Sequence, residues 1–347
     1  MKKHIAFVIA LAMLCTIFSA CSFVSDTVSV APESIGDTDV SEQNESQEVS
    51  EAESEAESEV VSETPSEPEE SAGPREYRIV ALGDSITAGY GLDNAETQRY
   101  TSLLKSALQS DTCNVSIDNY AVSGHTSSNL LSLLNNGTAS TLADADAVIL
   151  CIGANNVLAP VSSVAYTYLS GCQSTLSSLF AALLKGNDIT PYQSTLVSTF
   201  NNFAAALESD STKTAIQNGL ATLTSDLPKI IAAIRDVNPD CDIYFGNIYN
   251  PYAQFDVSGI PGVTYDFAAY SDSLVCSIND IIAQNADTLG YTVADVYSAF
   301  KTHGGRLVNA TLNITTATFN YDPHPNAQGH VVIASVYEEI FDKILAE

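Results

Sequence analysis

The sequence predicts an α/β fold: a three-layer arrangement with a five-stranded parallel sheet between helices, plus a helical insertion after the third strand. Three observations lead there. Short apolar runs alternate with longer helical patterns along the chain. The apolar runs carry β-branched residues with little polar alternation, as strands covered on both faces do. About 270 residues follow Arg75, enough for one domain with a sizeable core.

The elements follow in order. "YRIVAL" (77–82) reads as the first strand and "TQRYTSLLKSAL" (97–108) as a helix. "NVSIDNYAV" (114–122) is the second strand and "TSSNLLSLLNN" (126–136) the helix after it. "DAVILCIG" (146–153) is a buried third strand. "LPKIIAAIRDVNP" (227–239) is a helix that stops at proline. "CDIYFGNIY" (241–249) is the fourth strand, and "YSDSLVCSINDIIAQNADTLG" (270–290) a helix ending in glycine. "YTVADVY" (291–297) is the fifth strand, and "AQGHVVIASVYEEIFDKILA" (327–346) an amphipathic last helix. Residues 159–225 break the rhythm with helix-like stretches and no clear strand. Two readings are open for this insertion. It follows the C-terminal end of a strand, where open α/β sheets bind ligands, so it could be a lid or groove wall. It could equally be a structural elaboration.

The N-terminal end reads differently. Lys2 and Lys3 precede "HIAFVIALAMLCTIFSA", a short apolar run ending in small residues, so 1–20 is expected to be a secretory signal. "FSAC" resembles the lipobox of bacterial lipoproteins, which makes Cys21 the expected lipidation site; the other reading leaves Cys21 a free thiol. Residues 21–75 form a Ser/Glu-rich segment, with sixteen acidic residues and no Lys or Arg between 26 and 70. Such a segment buries too little apolar surface to offset its chain entropy, so a disordered tether is expected. The folded domain is placed at 76–347.

The net charge is −29, from 13 basic and 42 acidic residues. That excludes nucleic acid as an expected partner, and docking of the globular surface on anionic lipid as well. Beyond Cys21 remain Cys113, Cys151, Cys172, Cys241 and Cys276. Their number is odd and no CxxC or zinc-like spacing occurs, so no metal site is expected. One disulfide among them stays open.

Chemistry gathers at the strand ends. "VALGDSITAGYG" (80–91) places Ser85 directly after the first strand, as a nucleophile or merely the cap of a helix. A serine hydroxyl needs a base, and the base needs an orienting group. "YDPHPNAQGH" (321–330) supplies both. Prolines on either side of His324 keep the loop out of helix. Side chains at i and i+2 of an extended segment share a side, so Asp322 can hold Nδ1 of His324 and leave Nε2 to Ser85. "NYAVSGHTSSN" follows the second strand, and its Gly124 allows close backbone approach to a ligand. "IGANN" follows the third, and its Asn155 offers an amide. The remaining histidines read as structural (His330), surface (His303), or either structural or substrate-touching (His125). Asp84 reads as a structural group bonding nearby backbone.

These blocks together resemble the SGNH (GDSL-type) hydrolases and esterases. "GDSITAGYG", "NYAVSGHTS", "GANN" and "DPHPN" stand in that family's order along residues 76–347, with 159–225 atypical in length. The resemblance implies a flavodoxin-like three-layer fold. It implies Ser85 as nucleophile, with His324 and Asp322 completing the catalytic set. It implies an oxyanion hole made by the N–H groups of Ser85 and Gly124 and the amide of Asn155, and no metal or cofactor. One residue departs from the pattern: Asn156 stands where the family has an aspartate. The expected protein is a monomeric serine esterase, lipid-anchored through Cys21 on the extracellular face of a bacterial membrane, acting on an acylated glycan or lipid. The alternative is a glycan- or lipid-binding lipoprotein on an inactive hydrolase scaffold.

Overall fold

The computed structural model describes residues 73–313 and 316–345. The expected signal 1–20, Cys21 and almost all of the expected tether lie outside the described residues. The strands of the main sheet are β1 (Arg75–Gly83), β2 (Cys113–Asn119), β3 (Ala147–Cys151), β4 (Asp242–Gly246) and β5 (Thr292–Ala294). They lie in the order β2-β1-β3-β4-β5, and every neighbouring pair is parallel. This is the flavodoxin-like order, and chain direction across the sheet switches between β1 and β3. In that pair Gly83 stands opposite Cys151, so the loops leaving both strands start side by side at one edge. Ser85 and Asn155 lie just beyond those strand ends, in the first turns of the helices that follow.

Eleven α-helices surround the sheet among the described residues. α1 (Ser85–Ala88), α2 (Ala95–Gln98) and α3 (Tyr100–Leu108) follow β1. α4 (Ser127–Asn135) follows β2. Four lie between β3 and β4: α5 (Ala154–Leu169), α6 (Cys172–Leu184), α7 (Thr190–Leu207) and α8 (Asp210–Arg235). α9 (Phe267–Leu289) precedes β5, and α10 (Val296–His303) and α11 (Ala327–Leu345) follow it. The core is the apolar filling of β1, β3 and β4: Ile79, Leu82, Ile149 and Phe245 are completely buried. Each such side chain contributes roughly 1.5–3 kcal/mol by leaving water. No helix among the described residues is long and apolar enough to cross a membrane.

Several boundaries differ from the sequence reading, each for a physical reason. The helix expected over 97–108 is broken at Arg99, whose backbone is extended, because the Tyr100 N–H is drawn to Nδ1 of His330. The helix expected over 227–239 is the end of the longer α8, which carries Pro228 inside it. Pro228 and Thr224, whose carbonyl loses its partner, both lie on the exposed face, where water can take the bond. The buried stripe of Leu223, Leu227, Ile230, Ile231 and Ile234 holds the helix together past the proline. β5 stops at Ala294 because Asp295 caps a helix absent from the sequence reading, accepting the Ser298 N–H at 3.1 Å. A small antiparallel hairpin of β6 (Thr311–Asn313) and β7 (Thr318–Asn320) was also not foreseen. All five cysteines from Cys113 to Cys276 are free thiols, four of them buried.

Candidate active site

β1 delivers Ser85 into the first turn of α1. Asp84 caps that helix, its carboxylate accepting the Ile86 N–H at 3.0 Å. The Ser85 N–H falls in the first turn, where backbone donors have no partner within the helix. Ser85 is almost buried, but its Oγ lies 2.8 Å from Nε2 of His324. Nδ1 of His324 lies 2.5 Å from Oδ1 of Asp322, which also accepts the His324 N–H at 3.1 Å. The three residues named from the sequence thus form one hydrogen-bonded chain, spanning 239 positions between Ser85 and His324. The cap of this helix is Asp84 and Ser85 is its first residue, so the cap reading fails for Ser85, whose hydroxyl instead meets an imidazole.

Burial pushes the Asp322 carboxyl upward, but the His324 ring, the His324 N–H and Asn309 outweigh it, and the net shift is downward. Asp322 is therefore held ionised, suited to stabilise an imidazolium. Asp84 is the opposite case. It is 1% exposed, and burial pushes its pKa to about 6 despite the Ile86 N–H and the nearby His324.

Gly124 sits third in a turn closed by His125 N–H donating to the Val122 carbonyl at 3.2 Å. Its φ of +83° is the left-handed value that this turn position requires and that glycine supplies without strain. Its exposed backbone faces no crowding side chain. Asn155, at the start of α5, donates one amide hydrogen to the His125 carbonyl at 3.0 Å. The other has only a long 3.5 Å approach to Asp84, near the limit of a hydrogen bond. Asn155 thus links the strand-three loop to the strand-two loop that bears Gly124.

Other residues of the site were not picked out from the sequence. Tyr90 lies against His324, ring centres 4.5 Å apart. Asn309 donates its amide to Asp322 Oδ2 at 2.9 Å and its N–H to the His324 carbonyl at 2.9 Å. Tyr249 and Tyr252 donate their hydroxyls to the carbonyls of Pro323 and Tyr321, pinning the same loop. "AGYG" displayed Tyr90 between glycines, a weak signal in hindsight; Asn309 and the two tyrosines carried none. Of the other histidines, His330 is fully buried and accepts the Tyr100 N–H through Nδ1 at 3.2 Å, with burial pushing its pKa down to about 4. His303 is exposed at the end of α10. His125 has a buried Nδ1 without a partner, and burial lowers its pKa. Among the described residues, no cluster of His, Cys, Asp or Glu could hold a metal ion.

The sequence pattern of the GDSL-like Lipase/Acylhydrolase family matches residues 81–332, from β1 into α11. The chain belongs to this family. Its members are lipases and acylhydrolases, and this acylhydrolase carries the family's α/β fold around the site just described. A search of curated proteins found no match. Solved structures similar to this acylhydrolase include the phospholipase A1 of Streptomyces albidoflavus NA297. That structure is 19% identical, covers 77% of this chain and 99% of its own, and has a TM-score of 0.48. An extracellular lipase of Streptomyces rimosus is 19% identical, covering 76% and 99%, with a TM-score of 0.46. A Geobacillus acetyl-xylooligosaccharide esterase is 14% identical, covering 76% and 93%, with a TM-score of 0.46.

Proposed function

We propose that the protein is a serine esterase that cleaves carboxylic esters through an acyl-enzyme, anchored at the outer face of a bacterial membrane by a lipid on Cys21. The observation that carries the chemistry is the chain Ser85 Oγ to His324 Nε2 at 2.8 Å and His324 Nδ1 to Asp322 at 2.5 Å. His324 takes the Ser85 proton as Oγ attacks the ester carbonyl, and Asp322 stabilises the imidazolium. The N–H groups of Ser85 and Gly124 and the weakly engaged Asn155 amide hydrogen receive the developing oxyanion. His324 then gives its proton to the leaving alcohol. Water repeats the sequence on the acyl-enzyme and frees the acid. The anchored, extracellular location rests on the N-terminal sequence, and so does the acidic spacer that would lift a monomeric domain off the membrane.

A small, tightly packed apolar pocket lies between the helices after β3 and the loop of Asp322. Leu158 and Val161 line it from α5, Phe203 from α7, Phe267 from α9, and Tyr321 from the loop of Asp322. Leu158 is one helical turn beyond Asn155, and Tyr321 immediately precedes Asp322.

The test is turnover of p-nitrophenyl esters of rising acyl length by the full chain, beside Ser85→Ala and His324→Ala. Turnover lost in both variants is the expected result, and the best acyl length reads out the substrate class. A folded chain inactive on every ester, or equally active without Ser85, would refute the proposal.

A further inference from the structure

Asn156 stands where the family pattern has an acid, and the structure shows what that exchange is matched to. The orientation of its amide is fixed by partners with one role each. The Ser127 N–H can only donate, and it meets Oδ1 at 2.9 Å. The Gly219 carbonyl can only accept, and it meets Nδ2 at 3.4 Å. The same Nδ2 donates to Ser127 Oγ at 2.8 Å. Ser127 Oγ has a single proton, and it goes to Asp226 Oδ2 at 3.0 Å. Ser128 Oγ donates to the same carboxylate oxygen at 2.5 Å, and Lys229 reaches the other at 3.4 Å. Asn156, Ser127 and Asp226 are all buried.

A carboxylate at 156 could not replace the amide in this setting. It would turn an oxygen toward the Gly219 carbonyl and compete with Asp226 for the one Ser127 proton. Positions 156 and 226 can therefore hold one amide and one acid, and this chain puts the acid on α8. Backbone packing fixes α8 at the same place. Pro160 has no N–H for the Asn156 carbonyl, and that oxygen lies so close to Gly219 that a Cβ there would sit 1.8 Å from it. Only glycine fits at 219.

We propose that Asp226 is a positioning residue for the oxyanion hole. It holds Ser127, and with it the Gly124–His125 loop, against the turn of α5 that bears Asn155. Helix α8, which runs from the end of the 159–225 segment into the helix before β4, then serves catalysis by clamping two oxyanion donors together. This rests on the esterase reading above.

The test uses the full-length wild type, Asp226→Asn, Asn156→Asp and the exchange Asn156→Asp/Asp226→Asn. Thr222→Ala, an exposed α8 hydroxyl that bonds only the Asn218 carbonyl, is the control and should keep wild-type kcat. Each is assayed for kcat and KM on a short p-nitrophenyl ester, for Ser85 labelling by a fluorophosphonate, and for thermal midpoint. Each single change in the pair is expected to lower kcat about tenfold or more, because misplaced donors cost rate out of proportion to distance. KM should stay within about twofold. The exchange restores one amide and one acid around Ser127 but still sets an oxygen against the Gly219 carbonyl, so it recovers part of the kcat and labelling that Asn156→Asp loses. The proposal is overturned if Asp226→Asn keeps wild-type kcat, or if the folded exchange is no better than its worse parent. If wild type itself shows no Ser85-dependent turnover or labelling, the esterase reading fails separately. The pair is then judged by thermal midpoints: recovery in the exchange supports the clamp, and additive losses overturn it.

Discussion

Replacing Asp84 by asparagine will change how the fold responds to pH. The carboxyl is 1% exposed, and burial raises its pKa from 3.8 to about 6. A carboxyl whose folded pKa lies above its unfolded value stabilises the fold below the unfolded pKa, and that contribution fades as pH rises through the folded one. From about pH 7.5 to about pH 5, folded Asp84 takes up most of a proton and the unfolded chain almost none. At roughly 1.4 kcal/mol per pK unit, wild type gains about 1.4 kcal/mol from this group over that interval. Asp84→Asn keeps an acceptor for the Ile86 N–H but binds no proton. The stability of the variant minus that of wild type should therefore fall by about 1.4 kcal/mol between the two pH values. Urea unfolding at each pH, followed by far-UV circular dichroism, measures this difference, and any constant cost of substitution cancels. Parallel pH curves for the two proteins would refute the argument, because they would mean that Asp84 is solvated or already neutral at pH 7. The cost of keeping an acid there is set against two contacts, the cap of α1 under Ser85 and the approach of the Asn155 amide.

His330 should show the opposite sign. Its pKa is lowered to about 4, so the unfolded state takes the proton first and stability falls with pH. His330→Asn should remove about 2 kcal/mol of the wild-type loss between about pH 7.5 and about pH 5, again by urea unfolding. Asn155→Ala should lower kcat by about 10²- to 10³-fold with little change in KM, measured on a short p-nitrophenyl ester; a smaller loss would remove the amide from the oxyanion hole. Gly219→Ala should destabilise by about 3 kcal/mol, read as a lower urea midpoint, because the new Cβ meets the Asn156 carbonyl and α5 and α8 must part.

The legible part of this molecule is the part written locally. Gly-Asp-Ser at the end of an apolar run placed a serine hydroxyl at a sheet edge, and the structure sets it 2.8 Å from His324. Two prolines around His324 forced an extended loop in which Asp322 and His324 share a side, and the structure sets them 2.5 Å apart. The parallel sheet was legible for the same reason, since strand and helix periods are short-range. Boundaries failed where a distant group intervened: His330 breaks the helix at Arg99, and a buried stripe carries α8 through Pro228. The supporting residues of the site were illegible throughout. Asp226 meets Ser127 across 99 positions, and Asn309 meets Asp322 from a neighbouring loop. Neither stands in a pattern, because a partner for a single hydrogen bond needs no period and no motif. The departure at Asn156 was visible as an anomaly, but its meaning lay in Asp226. A sequence block can therefore lose its charge without losing its network, provided that another element delivers the acid to the same serine. Helix α8 does so here, and a chain with Asp at 156 should accordingly not tolerate an acid facing the same serine from this helix.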